Sequence, residues 1–208
     1  MEPVRYKLIE FFIIFIVLPV SFAIPYPVIL KFILGIIGFV YVIYVLLKIE
    51  NNRFKIAPNL NWKHFWTETG IKLLIIAILT SVFVWFTDRE MFFEVVINKP
   101  LLWLVILIVY SLFSVYPQEL VYRTLYFQRY EQLFKNKKLF IFINAVVFSL
   151  AHTMFRNPLV HIITFLGGIL FALTYNKTKS TLLVSIEHAI YGSWLFTVGM
   201  GNMLGFPS

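Results

Sequence analysis

The stretch that decides the fold is Pro117-Gln-Glu-Leu-Val-Tyr-Arg-Thr-Leu-Tyr-Phe-Gln-Arg-Tyr130, at the end of a long apolar run. Residues 101–115 contain no charged side chain, whereas Glu119 and Arg123 follow four residues apart. That spacing places both side chains on one face of a helix. An unpaired charge at the centre of a membrane helix costs about 2.5 to 3.5 kcal/mol, so charged residues there normally face the protein interior and often mark function. The stretch predicts a membrane helix whose inner face holds either a structural ion pair or a functional site.

The composition of the whole chain indicates a membrane protein. Of its 208 residues, 60% are hydrophobic and only 13% are charged, and the mean hydropathy is +0.84. Soluble domains have about 25% charged residues, so an ordinary soluble domain is excluded. We expect a single transmembrane domain over residues 1–208, with a motif-bearing core at about 100–200. The chain has no cysteine, which excludes disulfide, thiolate-metal and thiol redox sites.

Seven apolar runs are at or near the length of about 17 to 25 residues that a helix needs to cross a bilayer. They cover residues 9–24, 27–47, 70–87, 101–134, 139–155, 158–175 and 182–204. Residues 51–66, between the second and third runs, resemble an interfacial segment with Trp62 and Trp66 at the level of the lipid headgroups. The predicted fold class is therefore all-α, a polytopic transmembrane helical bundle of about seven spans.

The basic residues in the loops orient this bundle, because Lys and Arg concentrate on the cytoplasmic side of membrane proteins. A cytoplasmic N-terminus places 13 of the 18 basic residues inside and three outside, and the other two lie within spans. The inner set is Arg5, Lys7, Lys48, Arg53, Lys55, Lys63, Lys72, Arg129, Lys135, Lys137, Lys138, Lys177 and Lys179. This loop bias accounts for the net charge of +8, so we expect no nucleic-acid partner.

Further polar residues lie in the later spans. His152 follows Phe148 by four residues at the end of the fifth span, and His188 lies early in the seventh. With a rise of about 1.5 Å per residue, Glu119 and His152 lie roughly 18 and 20 Å from the cytoplasmic ends of their helices, and His188 roughly 9 Å. Glu119 and His152 can therefore share a level that His188 approaches from the cytoplasmic side. His161, near the outer end of the sixth span, is expected to have a surface or core role.

One Glu and two His residues on separate helices suit two chemistries. They can bind a catalytic zinc ion with one coordination position open. Alternatively, a carboxylate and an imidazole activate water without a metal, and the second imidazole stabilises the oxyanion. The chain has no His-Glu-x-x-His helix, the common zinc-protease signature, but separate helices can also build a zinc site. A proton-relay transporter uses the same residue types, although the sequence has no inverted repeat.

Three segments in series resemble the CAAX prenyl protease and bacteriocin-processing (CPBP, or Abi) family of intramembrane proteases. That family is marked by Glu-Glu-x-x-x-Arg on one helix, Phe-x-x-x-His on the next, and a later His-x-x-x-Asn. Here the segments read Gln118-Glu119-Leu-Val-Tyr-Arg123, Phe148-Ser-Leu-Ala-His152 and His188-Ala-Ile-Tyr-Gly192. The resemblance implies an endopeptidase of the cytoplasmic (inner) membrane that hydrolyses a peptide or membrane-linked protein substrate near the cytoplasmic face of the lipid bilayer.

The resemblance also implies roles for individual residues. Glu119 and His152 would activate water, and His188 would stabilise the oxyanion. Arg123 would orient Glu119 through an ion pair, and Phe148 would support the site. The resemblance implies no cofactor and no metal ligand, while the residues themselves leave zinc open.

Two positions depart from the family pattern. The first Glu of the pair is Gln118, whose amide can orient water but cannot take its proton, so Glu119 would assume that role. The terminal Asn is replaced by Gly192, and Ser193 beside it is a candidate replacement donor. These departures favour an alternative function, that of a catalytically inactive family member that binds a membrane partner or confers immunity to a peptide toxin.

Overall fold

The computed structural model describes residues 3–52 and 60–201, and this part of the chain forms helices and no β-strand. Within these residues, seven long helices follow one another: α1 (residues 4–21), α2 (Val28–Ile49), α3 (Trp62–Thr87), α4 (Pro100–Leu133), α5 (Lys137–Phe155), α6 (Pro158–Thr178) and α7 (Thr181–Val198). Helices α2 to α6 are long and apolar enough to cross a membrane. The predicted all-α transmembrane bundle is confirmed, whereas the count of seven spans and the cytoplasmic N-terminus remain predictions.

The start of α3 differs from the predicted boundary at residue 70. The helix begins at Trp62, because the side chain of Asn61 accepts a hydrogen bond from the backbone N–H of His64 at 3.0 Å and so caps the first turn. Trp62 and Trp66 therefore belong to a long helix rather than to a separate interfacial segment. The rest of that segment over 53–59, with the basic residues Arg53 and Lys55, lies outside the described residues, as do residues 202–204 of the seventh predicted span.

Aromatic rings from four helices form the core. Tyr126 of α4 contacts Phe15 of α1 and Phe140 of α5, with ring centroids 5.5 and 4.6 Å apart. Phe127, the next residue of α4, contacts Tyr175 of α6 at 5.0 Å. These rings are almost completely buried, while large apolar side chains cover the outer surfaces of α2 and α3. An apolar exterior of this extent suits contact with hydrocarbon, and α4 is the helix around which the interior is built.

Helices α5 and α6 approach each other closely at a pair of small residues. A Cβ atom on Gly168 of α6 would lie 2.9 Å from the Cα atom of Ala145 of α5. Small residues allow such close backbone contact in membrane helices, where packing rather than the hydrophobic effect drives association. This contact fixes the neighbouring Phe148 face of α5 relative to the rest of the bundle.

Helix α4 is irregular around the predicted site. It contains wide, π-type turns at Tyr110–Val115 and Leu120–Leu125, and these flank Gln118 and Glu119. Pro117 has no N–H for the preceding turn, and its ring opposes ordinary α-helical geometry there. Wide turns of this kind are frequent at functional sites. They set the directions in which the polar side chains of α4 point.

A buried ion-pair cluster attaches α1 and α2 to the end of α4. Glu10 of α1 accepts hydrogen bonds from Arg129 Nε, from the Tyr41 hydroxyl, and from the Tyr130 hydroxyl at 2.8 Å. Arg129 Nη1 also donates to Glu50 Oε1 at 2.9 Å. Arg129, which the sequence places among the loop charges, is thus a buried partner of two carboxylates.

Candidate active site

Glu119 and Arg123 of α4 form the ion pair that their spacing predicts. Both side chains are completely buried, and Arg123 Nε lies 3.4 Å from Glu119 Oε2. The alignment of the two atoms does not satisfy a hydrogen bond, so the contact is electrostatic. The positive charge nevertheless offsets part of the cost of holding a carboxylate in the interior.

The guanidinium group of Arg123 is also held by α5. Its Nη1 donates to Asn144 Oδ1 at 2.9 Å and to the backbone carbonyl of Tyr122 at 3.2 Å. Asn144 Nδ2 donates to the same carbonyl at 2.6 Å. The guanidinium also lies over the ring of Phe148, 4.6 Å from its centroid. These contacts hold Arg123 in one position, and Arg123 in turn helps to position the carboxylate of Glu119.

Asn144 is a part of the site that the sequence reasoning missed. Its side chain is completely buried and joins α5 to α4. A signal was present, because Asn144 is a polar residue in an apolar helix and lies four residues before Phe148, on the same helix face.

The second oxygen of Glu119 binds His188 of α7. His188 Nδ1 lies 2.7 Å from Glu119 Oε1, and both side chains are buried. An ionised carboxylate only accepts hydrogen bonds, so Nδ1 carries the hydrogen, and in the neutral form of the ring the lone pair is then on Nε2. The His188 ring stacks on Phe171 of α6 at 4.2 Å, and the ring of Phe148 meets it edge-on at 5.8 Å. The structure thus brings Glu119, Arg123 and His188 together.

His152 lies just beyond the α-helical part of α5, which ends at Leu150, rather than within the helix as its spacing suggests. Its backbone N–H bonds to the Ser149 carbonyl, and its Nδ1 bonds to the Phe148 carbonyl at 2.8 Å. The side chain therefore caps a carbonyl that the end of the helix leaves without its usual partner. A carbonyl cannot donate, so Nδ1 carries the hydrogen and Nε2 has the lone pair.

The sequence predicts that His152 and Glu119 act together on water. In the part of the chain that the structure describes, no direct hydrogen bond joins their side chains. The imidazole bound to Glu119 is that of His188. His152 lies near the site through Phe148, whose ring centroid is 5.0 Å from the His152 ring and 5.8 Å from the His188 ring.

The two departures from the family pattern lie in different surroundings. Gln118 Nε2 donates to Ser114 Oγ at 2.8 Å, and its buried Oε1 has no hydrogen-bond partner among the described residues. Gly192 follows His188 by four residues and shares its helix face, whereas Ser193 is rotated about 140° from His188. Ser193 is therefore poorly directed for the donor role proposed from the sequence.

Two other ionisable residues near these motifs have their own partners. Glu187 is completely buried and binds Lys72 of α3 at 2.9 Å and the Tyr191 hydroxyl at 2.8 Å. Lys72, which the sequence counts as a cytoplasmic charge, thus joins α3 to α7. His161 Nδ1 lies 3.2 Å from Ser149 Oγ, so its contact is with α5 and not with Glu119.

The carboxylate and imidazole groups do not converge as a metal-ligand set. Across residues 3–52 and 60–201, no group of three or more His, Asp or Glu side chains has the proximity that would hold a metal ion. Glu119 instead uses its two oxygens for His188 and Arg123. The arrangement is suited to positioning an imidazole for proton transfer.

A model of the family of Rce1-like type II CAAX prenyl endopeptidases matches residues 100–194. The matched segment contains all three motifs. The resemblance to the CPBP family is confirmed. This Rce1-like match supports a function of the CAAX-type intramembrane protease kind in a multi-pass membrane protein. Comparisons with curated proteins and with solved structures gave no match.

Proposed function

We propose that the protein is an intramembrane endopeptidase in which the Glu119–His188 pair, with His152, activates water for peptide hydrolysis. The observation that carries the proposal is the 2.7 Å contact between the carboxylate and the imidazole inside the bundle. A histidine that acts as a general base must be held in one orientation. A carboxylate that binds one ring nitrogen holds the ring and leaves the other nitrogen to accept the proton.

The tautomers of the two histidines support this chemistry. Glu119 holds the hydrogen of His188 on Nδ1, which leaves Nε2 to accept a proton from water. The same carboxylate stabilises the imidazolium that forms. His152 has its hydrogen on Nδ1 through the Phe148 carbonyl, so its Nε2 is a second acceptor that can orient the water.

The reaction requires no oxidant or reductant. The water oxygen forms a bond to the carbonyl carbon of the substrate, while one water proton moves to His188 Nε2 and the π electrons of the carbonyl move to its oxygen. When the tetrahedral intermediate collapses, the C–N bond breaks and the proton on His188 moves to the leaving amine. Arg123 faces Glu119 Oε2 and helps to hold the carboxylate in place through this sequence.

The proposed substrate is a peptide linked to the membrane, cleaved near the cytoplasmic face of the cytoplasmic membrane. The description of the matched family names CAAX prenyl substrates, so a prenylated C-terminal peptide is the first candidate. This candidate must be compared with a transmembrane or lipid-tethered peptide that has no prenyl group. The bilayer concentrates both kinds of peptide, so a difference in cleavage rate would report recognition of the prenyl group itself.

The test is cleavage of both kinds of peptide by purified wild-type protein and by the Glu119→Gln variant, with and without a zinc chelator. We expect wild-type cleavage to persist with chelator and to be lost in Glu119→Gln. The control is Glu68→Gln, which removes a partly exposed carboxylate that pairs with Lys177 and should retain activity. Folded wild-type protein that cleaves no peptide would contradict the proposal, and loss of cleavage with chelator, restored by zinc, would contradict metal-free hydrolysis.

The alternative function is binding without catalysis, by an inactive family member that stabilises a membrane partner or confers immunity to a peptide toxin. Gln118 favours it, because its amide donates to Ser114 and cannot act as a base. A partner bound equally well by wild-type and His152→Ala protein, together with no peptide cleavage by either, would support this alternative.

A further inference from the structure

The hydroxyl group of Tyr110 lies against the helix face of α7 that also presents His188. Gly192 is on this face, four residues after His188. A Cβ atom at position 192 would overlap the phenol oxygen of Tyr110 and two carbons of its ring. The glycine therefore provides the space that lets the Tyr110 side chain reach this face from α4.

Further contacts fix the position of Tyr110. Its ring meets His188 edge-on, with the centroids 6.0 Å apart, and packs against Phe196 at 4.9 Å. Tyr110 is the first residue of the wide turn Tyr110–Val115, so the irregular geometry of α4 helps to direct it.

The proposed reaction requires a hydrogen-bond donor to the oxyanion of the substrate. In the state that activates water, His188 and His152 both have lone pairs on Nε2 and act as acceptors there. The Nε and Nη2 atoms of Arg123 have no hydrogen-bond partner among the described residues, but the guanidinium is completely buried, faces Glu119 and donates to Asn144 through Nη1. Negative charge develops on the carbonyl oxygen of the substrate, and a donor aimed at that oxygen lowers the barrier.

We propose that the Tyr110 hydroxyl donates a hydrogen bond to the oxyanion of the tetrahedral intermediate, and that Gly192 is required because it admits the phenol. This inference rests on the proposed peptidase function. The phenol keeps its proton throughout, so the step adds no proton transfer to the reaction. The hydrogen bond strengthens as charge develops on the oxygen. Its loss should therefore lower kcat and leave substrate binding almost unchanged.

The test compares Tyr110→Phe with Tyr116→Phe. Both substitutions remove one hydroxyl from α4, but Tyr116 lies on the outer part of the helix with 37% of its surface exposed. Removal of one oxyanion donor typically lowers kcat by about 10² to 10³-fold. We expect a fall of this size in Tyr110→Phe with little change in KM, and wild-type values in Tyr116→Phe. A peptide phosphonate that mimics the tetrahedral intermediate should also bind Tyr110→Phe more weakly, by a similar factor.

A second variant tests the role of the glycine. Gly192→Ala keeps the tyrosine but places a methyl group where the phenol lies, so kcat should also fall. Wild-type kcat and wild-type phosphonate affinity in Tyr110→Phe would overturn the inference and leave the peptidase function intact. Absence of cleavage by the wild-type protein would instead overturn the proposed function, so the two failures are distinguishable.

Discussion

The carboxylate of Glu119 and the imidazole of His188 lie in direct contact across the interface of α4 and α7, with Oε1 and Nδ1 2.7 Å apart. The other carboxylate oxygen faces Arg123, which α5 holds through Asn144. Three helices therefore determine the position of one imidazole. Changes that disturb this network should affect stability and catalysis to different extents, and several substitutions can separate the two.

Arg123→Ala should strongly destabilise the protein. The substitution leaves the carboxylate of Glu119 buried without its cation, and removal of one partner from a buried ion pair typically costs about 3 to 5 kcal/mol. Thermal or denaturant unfolding in detergent measures this loss. The control is Arg89→Ala, whose exposed guanidinium lies over Trp85 at 4.1 Å and should contribute only about 0.5 to 1 kcal/mol. Equal losses in the two variants would contradict the buried pair.

Asn144→Leu should destabilise the protein by about 1 to 3 kcal/mol, because it leaves an Arg123 N–H group without its buried acceptor and removes one of the two donors to the Tyr122 carbonyl. It should also slow peptide cleavage in the protein that remains folded, since Arg123 then orients Glu119 less well. Asn176→Ala, at the end of α6, serves as the control and should change neither quantity appreciably. An Asn144→Leu protein of wild-type stability would contradict the proposed support of Arg123.

Glu10→Ala should loosen the attachment of α1 to α4. The buried Arg129 would lose one of its carboxylate partners, with an expected destabilisation of about 3 to 5 kcal/mol. Glu131→Ala removes a carboxylate from a partly exposed pair with Lys137, where about 0 to 1 kcal/mol is expected. Unfolding measurements on both variants check the difference, and a mild effect of Glu10→Ala would show that α1 is held mainly by its aromatic contacts.

Gly168→Ala should destabilise the contact between α5 and α6, because the new methyl group would lie 2.9 Å from the Cα atom of Ala145. Overpacking of this kind costs about 1 to 3 kcal/mol. Gly70→Ala in α3 is a matched control, since its Cβ would meet no atom within 4 Å. Alanine is the better helix former, so the control should be neutral or slightly stabilised. If Gly168→Ala left the free energy of unfolding unchanged, the two helices could move apart without loss of stability, which would contradict the close contact.

The features predicted from the sequence depend on local geometry. The pair of Glu119 and Arg123 follows from a spacing of four residues on one helix, and the apolar runs locate the long helices. The start of α3 at Trp62 was missed, because the long apolar run begins only after the polar first turns of the helix. The end of the α-helical part of α5 at Leu150 was also missed, since no proline or glycine precedes His152 in that segment to mark it.

The contacts between helices were less accessible to prediction. Depth alone allowed His188 to approach Glu119, but the choice of His188 over His152 as the hydrogen-bonded partner depends on how α4 and α7 pack. The reach of Tyr110 toward Gly192 depends on both the glycine and the wide turn in α4, and the spacing of residues does not reveal such a turn. The pairing of Lys72 with Glu187 likewise joins helices that are distant in the chain.

The most direct test of the central claim is the rate of peptide cleavage by His188→Gln compared with His161→Gln. Both variants replace a histidine with glutamine, but His188 binds Glu119 whereas His161 binds Ser149. Loss of a general base typically lowers the rate by about 10² to 10⁴-fold. We predict a fall of this size in folded His188→Gln and wild-type rates in His161→Gln. Wild-type rates in folded His188→Gln would contradict the account.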